Sequence, residues 1–135
     1  MNVIVDTSVW SLSLRRNKDY QKIFPINNLL ENLIIEQKVI LLGIIRQEIL
    51  SGIRYPEQFV KLRDYLRAFS DLEITYQDYE LGAEFFNICR QKGIQGSNND
   101  FLICAVSYNY NYHIFTTDKD FDNFKSHIPI NLLNY

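Results

Sequence analysis

Cysteine and histidine are scarce in this chain, which has two of each among its 135 residues. Cys89 and Cys104 both stand among apolar residues of predicted helices, and the sequence has no Cys-x-x-Cys pair or mixed Cys/His cluster. This pattern argues against a zinc site and favours two buried thiols. With only His113 and His127 present, a catalytic triad built on histidine has little support.

A long apolar run is also missing from the sequence. No segment approaches the ~18–20 consecutive apolar residues that cross a bilayer, and residues 1–6 are too short and lack the positive charge of a signal peptide. The composition, 47% hydrophobic and 22% charged, is that of an ordinary globular protein. We therefore expect a soluble, cytoplasmic protein, and the length fits a single domain over residues 1–135.

The chain has no excess of positive charge, because its formal net charge is −2. The two halves differ, however: residues 1–67 hold ten Lys/Arg and seven Asp/Glu, whereas residues 68–135 hold four and nine. A positive balance in one half and a negative balance in the other allow a basic surface beside an acidic pocket. Scattered, solvated charge accounts for the same numbers equally well.

What the sequence does contain is a short apolar strand, Val3–Val5, that ends directly at Asp6. Three β-branched residues in succession favour a buried strand. Further strands are predicted at residues 39–42, 72–75, 113–116 and 130–132. Pro25 is predicted to open a helix that runs from residue 26 to Gln37. Strands that alternate with helices predict an α/β fold with a parallel sheet wrapped by helices.

Four acidic residues far apart in the sequence can meet at one edge of this sheet. Asp6 and Asp118 each follow a predicted strand, and the carboxyl ends of parallel strands share one edge. Asp100 lies in the first turn of a helix whose start is marked by Ser97, three residues earlier, as in a capping box. Glu48 lies on a helix that follows a strand. All four can therefore face one crevice.

Each of the four also has a purely structural explanation, as a helix cap, an exposed helix residue or a turn residue. The presence of Asp100, for example, is explained by the capping box with Ser97 alone, without a functional role. Two further acids are better explained without a functional role. Thr117 precedes Asp120 at capping-box spacing, which suggests a structural role for Asp120, and Asp122 is best explained as solvated.

Carboxylates that converge repel one another, which raises their pKa values or requires a counter-ion. An all-oxygen site of this kind suits Mg²⁺ or Mn²⁺. Such an ion lowers the pKa of a bound water and neutralises charge on a phosphodiester transition state, without any need for histidine. Hydroxyl and amide side chains close to the acids can orient a carboxylate or a water, and these are Thr7, Thr117, Asn98 and Asn99.

Around these acids the sequence resembles the PIN domain, and more narrowly the VapC-type toxins of bacterial toxin–antitoxin pairs. The matching segments are VDTSVW (residues 5–10), RQEILSG (46–52), NDFLICA (99–105) and TTDKDF (116–121). Each segment is weak alone, but the four in this order extend over nearly the whole chain. The departures are small: residues 41–44 lack a proline that the family often has there, and Cys104 replaces a smaller residue. The extra acid that some members add as a ligand near the last strand corresponds to Asp120 or Asp122.

The resemblance implies a three-layer α/β/α sandwich with a parallel sheet of four to five strands. It implies an endoribonuclease that depends on Mg²⁺ or Mn²⁺. It assigns the family's acidic quartet, as catalytic residues and metal ligands, to Asp6, Glu48, Asp100 and Asp118. The partners that it implies are an RNA substrate, a cognate antitoxin protein that inserts into the active-site groove, and a second copy of the chain in a homodimer.

An RNA substrate would be held mainly through its phosphates. The basic residues proposed for this role are Arg15, Arg16, Lys18, Arg46 and Arg54, with Lys61 and Arg63 as weaker candidates. Trp10, four residues after Asp6, is expected to pack in the core rather than to stack on a base.

Two other functions compete with this interpretation. One is a non-catalytic PIN-like module that binds RNA or protein, and the presence of all four acids disfavours it. The other is a metal-dependent phosphatase with Asp6 as nucleophile. Such enzymes commonly carry a second acid two residues later, where this chain has Ser8.

Overall fold

Helices separate all successive strands in the described part of the chain, as the sequence predicts, although one connection holds four helices in a row. The structure, a computed structural model, describes the backbone of residues 1–14 and 20–135 and the side chains of residues 1–14 and 25–135. Its elements are β1 (Val3–Val5), α1 (Thr7–Leu14), α2 (Tyr20–Ile35), β2 (Val39–Ile40), α3 (Gly43–Leu50), α4 (Pro56–Leu66), α5 (Tyr76–Gln91), α6 (Asn98–Tyr110), β3 (His113–Phe115), α7 (Asp120–Lys125) and β4 (Asn131–Leu132).

In the described part of the chain, four parallel strands form one sheet in the order β2-β1-β3-β4. Val3 of β1 pairs with Val39 of β2 on one side and with His113 of β3 on the other. β2 lies on one side of β1, whereas β3 and β4 lie on the other. Because crossovers between parallel strands are almost always right-handed, connections in these opposite directions put helices on both faces of the sheet. The predicted three-layer α/β/α sandwich is thereby confirmed. The reversal also opens a crevice at the carboxyl ends of β1 and β3.

The sheet carries the centre of the core. All three residues of β1 have no exposed surface, which explains the uninterrupted apolar run of that strand. Trp10 is buried and packs edge-on against Phe69 with ring centroids 5.6 Å apart, so its expected place in the core is confirmed. Cys89 and Cys104 are free, buried thiols, as predicted.

Two predictions of secondary structure are wrong: one strand is absent, and one helix begins earlier than expected. Residues 72–75 form no strand. Only Asp71, the residue before them, makes an isolated parallel bridge, and its partner is Leu41. The pairing goes no further because α3 begins at Gly43, two residues after Leu41. The helix that Pro25 was expected to open begins at Tyr20 and carries Pro25 inside it. Pro25 is the sixth residue of this helix and has no N–H to donate to the carbonyl of residue 21, so one helical hydrogen bond is missing there. Within the described residues, no helix is long and apolar enough to cross a membrane.

Candidate functional site

Asp6 stands at the end of the central strand and is buried, with 6% of its surface exposed. Its Oδ2 accepts hydrogen bonds from Ser8 Oγ at 2.7 Å and from Thr116 Oγ1 at 2.8 Å. Among the described residues, the donors that contact this side chain all reach Oδ2. A buried carboxylate is tolerated when it is hydrogen-bonded, and the two hydroxyl groups meet that condition at Oδ2, while Oδ1 accepts no hydrogen bond from the described residues.

Two hydroxyl groups connect Asp6 to the segment that carries Asp118. Thr116 Oγ1 donates to Asp6 and accepts from the backbone N–H of Asp118 at 3.0 Å. Ser8 Oγ donates to Asp6 and accepts from the backbone N–H of Thr117 at 3.0 Å. Because both hydroxyl protons go to Asp6, the 3.2 Å contact between the two hydroxyl oxygens carries no proton. The chain after β3 is thereby fixed against the start of α1.

Asp100 is fixed by the start of α6. Its backbone N–H donates to Ser97 Oγ at 3.1 Å, and its Oδ2 accepts from the backbone N–H of Ser97 at 3.1 Å. The predicted capping box is therefore confirmed. Gly96 precedes it for a steric reason: a Cβ there would lie 2.6 Å from Phe124 Cζ and 2.9 Å from Phe101 Cε2.

The negative charges of two other acids affect the pKa of Asp100. Burial raises the pKa of Asp100 above its ordinary value, and hydrogen bonds from Ser97 oppose the rise. The negative charges of Asp6 and Asp118 raise this pKa further. Asp100 thus lies within electrostatic range of two other acids predicted from the sequence, Asp6 and Asp118.

Glu48 reaches the same edge through both of its carboxylate oxygens. Thr7 Oγ1 donates to Oε2 at 3.0 Å, and Asn99 Nδ2 donates to Oε1 at 2.8 Å. Thr7 follows Asp6 in the sequence and Asn99 precedes Asp100. Glu48 is therefore bonded to the direct neighbours of two other acids, although it is itself exposed.

Some of the residues that orient the carboxylates are those predicted from the sequence. Thr7 and Asn99 contact a carboxylate, whereas Thr117 takes part through its backbone N–H only. Sequence reasoning missed Ser8 and Thr116. Both are hydroxyl residues placed two positions from an acid, Ser8 after Asp6 and Thr116 before Asp118, and that symmetry was the signal that could have found them.

The expected capping box between Thr117 and Asp120 does not form. Lys119 occupies the position before α7 and makes no side-chain cap. The backbone N–H of Asp120 instead donates to Asp118 Oδ1 at 2.9 Å. This bond orients the Asp118 carboxylate, because its fixed donor comes from the first turn of α7.

The carboxylates do not enclose a metal ion as they stand. Across residues 1–14 and 20–135, no three Asp, Glu, His or Cys side chains form a group that could hold one. Each acid is engaged by a nearby donor instead, as expected for like charges without a counter-ion. The donor set consists of carboxylate oxygens flanked by hydroxyl and amide groups, and by its chemistry it fits Mg²⁺ or Mn²⁺.

Arg46, expected to contact phosphate, has a structural role. Its Nε and Nη2 both lie 2.9 Å from Asp71 Oδ1. Its Nη1 donates to the carbonyl of Leu66 at 3.0 Å, and its Nη2 also donates to the carbonyl of Phe69. All three nitrogens of the guanidinium group are engaged, so the expectation for Arg46 is wrong.

The remaining basic candidates differ in what they contact. Arg63 pairs with Asp64 at 3.0 Å, Arg54 lies 5.6 Å from the centre of the Tyr55 ring, and Lys61 is exposed. The candidates Arg15, Arg16 and Lys18 lie outside the described residues.

Comparison with known proteins places this geometry in context. A family model for the PIN domain matches residues 3–126. No curated protein matches the sequence.

Solved structures of similar fold include three from bacteria. VapBC2 from Rickettsia felis, bound to a DNA fragment from its promoter, is 22% identical with a TM-score of 0.78, covering 100% of this chain and 99% of that chain. FitAcB from Neisseria gonorrhoeae is 19% identical with a TM-score of 0.76, covering 98% and 96%. VapBC-5 from Mycobacterium tuberculosis, of the VapBC family of toxin–antitoxin systems, is 14% identical with a TM-score of 0.69, covering 100% of both chains. At these identities the likeness is one of fold.

Proposed function

The chain belongs to the PIN domain family, and on this premise we propose that it is the toxin of a type II toxin–antitoxin pair and acts as a metal-dependent endoribonuclease. The observation that carries the proposal is the hydrogen-bond network that brings the acids to the carboxyl edge of the sheet. Thr116 joins Asp6 to the backbone of Asp118. Glu48 is bonded to Thr7 and Asn99, the direct neighbours of Asp6 and Asp100. The toxin role is supported by the similar fold of proteins such as VapBC-5, which belongs to a toxin–antitoxin family.

In this proposal Asp6, Glu48, Asp100 and Asp118 hold Mg²⁺ or Mn²⁺. When bound, the ion supplies a water of lowered pKa and neutralises charge on the phosphodiester. Asp6 presents Oδ1, because its Oδ2 is already engaged by Ser8 and Thr116. These local donors hold the acid in place before substrate arrives, so that little reorganisation is needed.

The other residues of the site act through orientation. Thr7 and Asn99 hold Glu48 from two sides, and the N–H of Asp120 holds Asp118. Attack of water on phosphorus with loss of the 3′ oxygen leaves a 5′-phosphate and a 3′-hydroxyl. Among the described residues of the site there is no histidine that could deprotonate a ribose 2′-hydroxyl, so we expect hydrolysis by water and no cyclic phosphate.

The partners proposed with this function are an RNA substrate, a cognate antitoxin protein and a second copy of the chain in a homodimer. The test in cells is induced expression in a bacterium that has no antitoxin for it. Growth arrest with the wild type and normal growth with Asp6→Asn support the toxin role. Normal growth with both, at equal protein levels, contradicts it.

A second function has one observation in its favour. The acids are all engaged by local donors, and within the described ranges no metal-holding group of three is formed. A non-catalytic module that binds RNA or protein would have acids in such a state permanently. Binding of RNA without cleavage at any Mn²⁺ concentration would favour this alternative.

A further inference from the structure

A cavity of about 250 Å³ opens directly beside Asp118. It is bounded by the segment after β3, by α7 and by the residues that follow β4. Its charged, amide and aromatic side chains include those of Asp118, Lys119, Asp122, Asn134 and Tyr135. The volume lies just below the ~300–1,000 Å³ of sites for drug-sized ligands, so the cavity suits a group about as large as one nucleobase.

The ring of Tyr135 is held in place and yet accessible. Its hydroxyl donates to the backbone carbonyl of Thr116 at 3.1 Å, and its ring lies 5.2 Å from that of Phe115. Even so, 61% of the residue is exposed. Burial, and then the charge of Asp122, raise the pKa of Tyr135. A fixed ring with an open surface can stack on an unpaired base.

The charges of the lining favour a base over a phosphate inside the cavity. In the metal-free protein, Asp118 and Asp122 contribute two carboxylates against the single ammonium group of Lys119. With Asp118 engaged by metal, Asp122 still balances Lys119, so the side chains of the lining supply no net positive charge for a phosphate. Cytosine, adenine and guanine carry exocyclic amino groups that can donate to Asp122 or to the Asn134 amide oxygen, whereas uracil has none. Lys119 is exposed and, among the described residues, pairs with no carboxylate, which leaves it free for an adjacent phosphate.

We propose that this cavity binds an unpaired RNA base that carries an exocyclic amino group, in a nucleotide next to the phosphate that is cut. Tyr135 stacks on the base, Asp122 accepts from its amino group, and Lys119 contacts the neighbouring phosphate. The inference rests on the proposed ribonuclease function and deepens it, because it names the kind of nucleotide that the site prefers.

The test is direct binding of fluorescein-labelled RNA oligomers, C10 and U10, followed by fluorescence anisotropy at low salt with EDTA present. We expect the wild type to bind C10 more tightly than U10. Tyr135→Leu should weaken C10 binding roughly tenfold, whereas Tyr135→Phe, which keeps the ring, should bind like the wild type. Asp122→Ala should remove the preference for C10.

Tyr108→Leu is the matched control, because Tyr108 is also an exposed tyrosine and lies at the end of α6 opposite to Asp100. It should bind both oligomers like the wild type. Equal C10 binding by the wild type, Tyr135→Leu and Asp122→Ala would overturn the proposal. An equal loss in Tyr135→Phe and Tyr135→Leu would also overturn it, since the hydroxyl and not the ring would then matter.

Cleavage of cellular RNA with Mn²⁺, measured in parallel, separates failure of this inference from failure of the proposed function. If the wild type cleaves RNA but Tyr135→Leu binds C10 unchanged, the nucleotide site alone is wrong. If the wild type neither cleaves RNA nor binds either oligomer, both proposals are wrong.

Discussion

The hydroxyl group of Thr116 lies 2.8 Å from the carboxylate of Asp6, across 110 residues of sequence. The same hydroxyl accepts the backbone N–H of Asp118 at 3.0 Å. One buried side chain thus sets the position of an acid at the end of β1 and of the backbone that carries another acid after β3. The site depends on this residue although Thr116 need not touch a ligand.

Thr116→Val should destabilise the protein by about 1–3 kcal/mol, because the part-buried N–H of Asp118 and the buried carboxylate of Asp6 each lose a partner. Thr116→Ser keeps the hydroxyl and should lose much less. Denaturant unfolding of the two variants in parallel measures the difference. Equal stability of the two variants would show that the hydroxyl does not hold these groups.

Thr7→Val should weaken metal binding and RNA cleavage roughly 10- to 100-fold, because Glu48 loses the donor at Oε2. Thr7 and Glu48 are not buried, so the free energy of unfolding should change by less than about 0.5 kcal/mol. Thr7→Ser is the control and should retain activity. Metal titration by calorimetry, read beside the cleavage rate, checks the prediction; an unchanged metal affinity in Thr7→Val would contradict it.

The pKa of Asp100 gives a pH dependence of stability in metal-free protein. Burial raises this pKa in the folded state above the unfolded value of about 3.9. Below that value Asp100 is protonated in both states and makes no difference to stability. As the pH rises through the folded pKa, ionisation favours the unfolded state, and stability falls relative to Asp100→Asn.

The measurement is unfolding of the wild type and Asp100→Asn in EDTA from about pH 3.5 to pH 8. Asn at this position can still accept from the N–H of Ser97, so the helix cap is retained. We expect the variant to gain relative stability as the pH rises and then to level off. If the wild type instead gains stability relative to the variant over this range, the pKa of Asp100 is not raised in the folded state.

Mn²⁺ or Mg²⁺ at millimolar concentration should raise the melting temperature of the wild type by a few degrees, because an ion that binds only the folded state stabilises it. The shift should be smaller in Asp100→Asn, which lacks one carboxylate. Potassium chloride at equal ionic strength controls for screening. Equal melting temperatures with and without the divalent ion would contradict a metal site.

Much of the fold could be predicted because its signals are local. An apolar strand followed by Asp6 is visible within six residues, and the spacing of Ser97 and Asp100 defines a helix start. Alternating strands and helices then indicate a parallel sheet, and parallel pairing brings Asp6 and Asp118 to one edge.

What sequence reasoning missed depends on contacts between distant segments. The hydroxyl groups of Ser8 and Thr116 meet across 108 residues. Only a comparison of the two segments, each with a hydroxyl residue two positions from an acid, points to that contact. In the sequence Arg46 has no feature that separates it from an exposed arginine. In the structure the end of α4 and the residues up to Asp71 supply it with one carboxylate and two carbonyl groups.

The measurement that tests the central claim most directly is cleavage of total cellular RNA by the purified protein, with and without Mn²⁺. Asp100→Asn is tested alongside, because it removes one charge and keeps nearly the same volume. Glu57→Gln, an exposed change on α4, is the control. RNA ends are mapped to show where the cuts fall and whether they carry a 5′-phosphate.

We expect Mn²⁺-dependent cuts with 5′-phosphate ends from the wild type and from Glu57→Gln, and none from Asp100→Asn. That result would establish the carboxylates as the centre of a hydrolytic site. Cleavage by Asp100→Asn at the wild-type rate, or equal cleavage in EDTA, would contradict the account.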